Sequence, residues 1–209
     1  MMHSRLIRAT LLLIVAVFSG GVVGVQSAQS QTPALPPNAI PARAVADPSV
    51  QVGWQRYDMG AAPALSLILP EAPGVTVETV QGQLINTYVA AGNLAVYAAV
   101  RIDGLPTNLE QASEEKRSGY FRSFFQGFSQ GFQKGLGPTN KDTLQLLDVT
   151  LVATATGRRG YQQRLTLGTA QGRAQMVFVG TSAFGIVALW FPNASAQDQE
   201  LFFNSFRVK

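Results

Sequence analysis

Chemistry in this chain has to come from carboxylates and arginines. The sequence has no cysteine and a single histidine, His3. His3 lies in a segment that reads as a cleavable leader, so the mature chain is expected to hold neither residue. That removes imidazole acid–base catalysis, Ser-His-Asp and Cys-His nucleophiles, and nearly all zinc and redox sites. Two carboxylates can serve as acid and base without histidine. Asp58, Glu71, Glu78, Asp103, Glu110, Glu114, Glu115, Asp142 and Asp148 are the candidates. Most fall in expected turns or in the first turns of a helix, where solvent or the helix dipole accounts for them. No spacing marks a pair. No catalytic residue is assigned, and no metal or cofactor is expected.

The arginines offer a different chemistry. Arg158 and Arg159 stand between Gly157 and Gly160, a pattern that fits a small anion-binding hairpin tip or a solvated turn. Arg164 and Arg173 are expected to line the same face. Gly-x-Gly patterns lack a strand-to-helix context, and no Walker-type stretch exists, so nucleotide binding is not supported.

The N-terminus bears on the compartment. Arg5 and Arg8 precede an apolar run of 15 residues, Leu11 to Val25, closed by the small residues Ser27 and Ala28. This is the pattern of a signal peptide over residues 1–28. The run is short of the ~20 residues of a spanning helix; an uncleaved membrane anchor is the alternative. No cysteine is present to carry a lipoprotein anchor or a disulfide, so a core alone must hold the fold. Loss of Arg5 and Arg8 takes the basic residues from 16 to 14 against 12 acidic ones, a net charge of +2. No basic stripe appears, which argues against nucleic acid. Residues 29–52 are rich in Pro, Ala, Gln and Ser and read as a disordered or polyproline-like tether.

Residues 53–209 are expected to form one domain. Strands are expected at Trp54 to Asp58, Ala64 to Leu69, and Val75 to Gln83, continued past a bend at Gly82 by Leu84 to Ala90. Asn93 to Ile102 is apolar on both faces, as in a twice-covered central strand. Thr107 and Glu110 fit a capping box for a helix from Asn108 to Leu136. Strands follow at Thr143 to Thr154, Tyr161 to Leu167, Arg173 to Val179 and Phe184 to Phe191. A helix over Ser195 to Asn204 closes the chain. A turn over Thr169 to Gly172 would set Leu165 opposite Met176, and a turn at Thr181-Ser182 would set Ile186 beside Val177.

The long helix is unusual. Phe121, Phe124, Phe125, Phe128 and Phe132 share one face, and Gly119, Ser123, Gly127, Gly131 and Gly135 repeat every four residues beside it. Glycine in a helix costs about 1 kcal/mol against alanine, so close approach of another backbone is expected. The Phe face is either the core of the domain or a surface for a partner or a membrane.

The layout resembles exported bacterial domains of the PsbP-like superfamily, which includes a nuclear-import factor that binds a GTPase. Trp54, the stretch Leu65 to Pro73, the strand Val96 to Val100, the Gly-Phe helix, the Gly157 to Tyr161 hairpin and the closing Phe202 to Arg207 carry the resemblance. It implies an α+β fold, a mostly antiparallel sheet covered by helices on both faces (an α/β/α sandwich). It also implies a non-enzymatic accessory role, with an unknown envelope protein or small ligand as partner. A carboxylate- and arginine-based hydrolase or lyase, and a membrane-surface protein using the Phe/Gly helix, are the alternatives.

Overall fold

The computed structural model describes residues 38–60, 62–136 and 142–209. The expected signal segment 1–28 lies outside them. Eleven strands and two helices follow in order: β1 (Ala42–Val45), β2 (Gln55–Met59), β3 (Leu65–Leu69), β4 (Gly74–Val80), β5 (Gln83–Gly92), β6 (Ala95–Asp103), α1 (Glu114–Leu136), β7 (Leu144–Ala153), β8 (Arg159–Leu167), β9 (Ala170–Val179), β10 (Ser182–Trp190), α2 (Ala196–Ser205) and β11 (Arg207–Val208).

Two antiparallel sheets divide the strands. The larger has seven in the order β4-β5-β6-β10-β9-β8-β7, and the smaller has four in the order β1-β2-β3-β11. The central strands β6 and β10 are apolar on both sides, so each sheet face needs cover. On one face α1 packs Phe121, Phe125, Phe128 and Phe132 against Val100, Leu165, Met176 and Leu189. On the other, the small sheet and α2 bring Leu67, Met59, Phe202 and Phe206 onto Tyr88, Tyr97, Phe184 and Ile186.

This corrects the expected α/β/α sandwich. The described residues form a mostly β fold, with only two helices among them, and helices do not cover both faces. The segments expected to join one sheet as its first strands, β2 and β3, instead form a separate layer. The C-terminal β11 completes that layer through Arg207 opposite Ser66. So does β1, from within the expected tether, through Ala44 opposite Tyr57. Residues 29–52 are therefore not all tether. The Ile40 amide donates to Asn86 Oδ1 at 2.9 Å, and Asp47 accepts from Arg56 Nε at 2.6 Å.

Local signals explain smaller differences. The long helix starts at Glu114, not Asn108, because Ser113 caps it: the Lys116 amide donates to Ser113 Oγ. Gln81-Gly82 is a hairpin turn between two strands, not a bend within one. The β8–β9 turn takes two residues, with Gly168 at φ +56°, so Leu165 faces Gly172 instead of Met176. Gly180, at φ +58°, does the same between β9 and β10, and Ile186 faces Gln175. Both expected registers slip by an even number of residues, so residues expected to share a face across the strands still do.

Candidate functional site: an arginine-lined groove

The groove lies where the start of α1 meets the β7–β8 hairpin. The hairpin loop is closed by the Thr154 amide donating to Arg158 O at 2.9 Å and the Gly157 amide donating to Thr154 O at 2.8 Å. That closure sets Arg159 opposite Ala153, with Tyr161 opposite Leu151 two residues on. Residues 159 and 161 share a face by strand alternation, and it is the face under α1. Tyr161 is buried against Phe121, and its hydroxyl donates to Glu114 O at 3.2 Å. This contact fixes the first turn of the helix over the hairpin.

Arg117 comes from that first turn. Its Nη1 donates to Glu110 O at 3.1 Å. Glu110, expected as a capping partner, instead bridges two hairpin tips. Its Oε1 accepts from Arg158 Nη1 at 3.2 Å, and its Oε2 accepts from the Gly180 amide at 2.9 Å. A cavity of about 260 Å³ is bounded by Glu114, Arg117, Leu151, Arg159 and Tyr161. A second, of about 200 Å³, shares Arg117 and Arg159 and adds Glu110, Arg158 and Phe178. The two form one groove with the two shared arginines at its waist.

Charge decides what the groove suits. Arg158 is neutralised by Glu110. Arg117 and Arg159 have no carboxylate within ion-pair distance among the described residues. The positive end of the α1 dipole points the same way, offset by Glu114 and Glu115 in the first turn. The walls at Leu151, Tyr161 and Phe178 are apolar. This arrangement can hold an anion that carries an apolar body.

The four arginines singled out in the sequence do not form one site. Arg158 and Arg159 border the groove. Arg164 lies directly across from Arg173 in the β8–β9 ladder, on the opposite sheet face, because position 164 differs from 159 in strand parity. Arg164 Nη2 is 3.6 Å from Asp148 in an exposed pair. Arg173 stacks 3.7 Å from the Phe203 ring centroid and reaches Glu200 at 3.4 Å. Burial pushes its guanidinium pKa down, against the opposing pull of Glu200. Arg173 thus anchors α2. Arg117 was missed, and nothing local marks it, since only the tertiary fold brings it to Arg159.

The Phe face resolves to core: Phe121, Phe125, Phe128 and Phe132 are buried, and Phe124 packs half-buried beside them. No backbone contact accounts for Gly119 or Gly127 in the glycine repeat. A Cβ on Gly119 or Gly127 would meet nothing within 4 Å.

The candidate carboxylates serve separate contacts. Asp58 pairs with Lys209 at 3.0 Å, Asp103 with Arg101 at 2.7 Å, and Glu71 accepts from the Ala91 amide at 2.8 Å. Among the described residues no three Asp, Glu, His or Cys side chains gather as a metal site would need. No helix among the described residues is long and apolar enough to cross a membrane. No protein-family model matches the chain, and no curated protein is significantly similar to it.

Proposed function

We propose that this protein is a non-catalytic binding domain of the cell envelope, and that it holds an anionic ligand with an apolar part in the groove between α1 and the β7–β8 hairpin. One observation carries the reading. Arg117 and Arg159 line the same cavity and have no carboxylate within ion-pair distance among the described residues. Guanidinium groups held in a partly apolar cleft favour carboxylate or phosphate oxygens through paired, charge-assisted hydrogen bonds. The leader-like N-terminal sequence supports the envelope location. The absence of histidine after residue 3 and the scattered carboxylates support binding without turnover.

Calorimetric titration with benzoate and with inorganic phosphate tests this. Arg117→Gln with Arg159→Gln is expected to weaken binding at least tenfold and leave the melting temperature unchanged. Equal binding by the double variant would overturn the reading.

A further inference from the structure

The edge strand β7 runs into the groove and has no strand on its outer side among the described residues. An open edge presents unpaired N–H and C=O groups, and proteins usually blunt one with lysine, proline or a bulge. The bulge in β7 lies between Leu146 and Val149. Beyond it, Val149-Thr150-Leu151-Val152-Ala153 is a regular run with no charge and no proline. Leu147 and Leu151 on this strand are 38% and 53% exposed. Leu151, Val152 and Ala153 form one wall of the groove, and Arg117 and Arg159 stand at the same end.

We infer that the ligand is the C-terminal end of an extended peptide from another protein, which adds to β7 as an extra strand and places its terminal carboxylate between Arg117 and Arg159. This rests on the anion-binding reading and names the ligand class. Strand addition supplies main-chain hydrogen bonds, and a pocket at the strand end supplies specificity. The arginines lie beside the C-terminal end of β7, so a carboxylate there sets the peptide parallel to β7. The peptide's last apolar side chain then meets Leu151 and Tyr161. A small anion would leave the Leu151 edge uncovered. Lys209 is already committed elsewhere, because its amide donates to Ala64 O at 2.9 Å beside β3.

The test is selection from random heptapeptides displayed with free C-termini, followed by fluorescence anisotropy on the enriched sequences and their C-terminal amides. Enriched peptides are expected to end in an apolar residue and to lose at least tenfold in affinity on amidation. Leu151→Asn is expected to weaken peptide binding at least tenfold. If phosphate binds but no peptide is enriched, or amides bind as well as acids, the peptide inference fails and the anion site stands. Failure of phosphate and peptide alike removes both. A β7-mediated dimer, seen by sedimentation and dissociated by Leu151→Asn, would also overturn the inference.

Discussion

Arg158 and Arg159 are adjacent in sequence and differ in what they touch. Arg158 meets Glu110 in a half-exposed pair, which is worth about 0–1 kcal/mol. Arg158→Gln is expected to lower stability by no more than that in urea denaturation, with anion affinity changed less than threefold. Arg159→Gln is expected to do the reverse. Glu78 is the other residue with a measurable signature. Burial pushes its carboxyl up to about 7 from an ordinary value of 4.5, and its Oε1 has no hydrogen-bond partner among the described residues. A raised acid binds its proton more tightly in the folded state. Its contribution is therefore fully present below pH 4.5 and is lost as pH rises through 7. Glu78→Gln is expected to flatten the fall in stability across that window, as read from melting temperature against pH. An unchanged slope would assign the pH dependence to other groups.

At the scale of elements, strand alternation was legible and pairing geometry was not. A period of two fixes which side chains of a strand share a face, so the alternation of β8, β9 and β10 was readable, although Arg164 and Arg173 were expected on the face of Arg159 and lie on the other. Register depends on turn length, and two-residue turns opened by Gly168 and Gly180 give no stronger local signal than longer ones. The Phe face of α1 was readable as a stripe, and its burial fits the apolar strands beneath. Phe128→Asp is expected to abolish folding, because it buries a charge among apolar rings. The glycine repeat misled, because spacing suggests a backbone contact that Gly119 and Gly127 do not make. With open space at both, Gly127→Ala is expected to stabilise α1 by roughly 0.5–1 kcal/mol. Destabilisation in chemical denaturation would mean that something packs on that stripe.

At the scale of the molecule, the two sheets and α1 make three layers, and the second sheet is the part that sequence concealed. Its strands come from both ends of the described chain, and no local pattern pairs β11 with β3 or β1 with β2. The same non-locality hid the groove, whose arginines come from a helix start and a hairpin far apart in sequence. Arg56 holds the second sheet together. It reaches Asp47 on the N-terminal segment and the Ser205 carbonyl at 3.3 Å at the end of α2. Hydrogen bonds from a buried charged group contribute ~1.5–3 kcal/mol each. Arg56→Ala is expected to expose β1 and β2 amides to hydrogen exchange and leave β6 and β10 protected. The measurement that bears most directly on the groove is arginine Nε–H chemical shifts followed by NMR during phosphate titration. Arg117 and Arg159 are expected to shift together and saturate, with Arg164 and Arg173 unmoved. Linear, unsaturating shifts spread over all four would contradict an anion site in the groove.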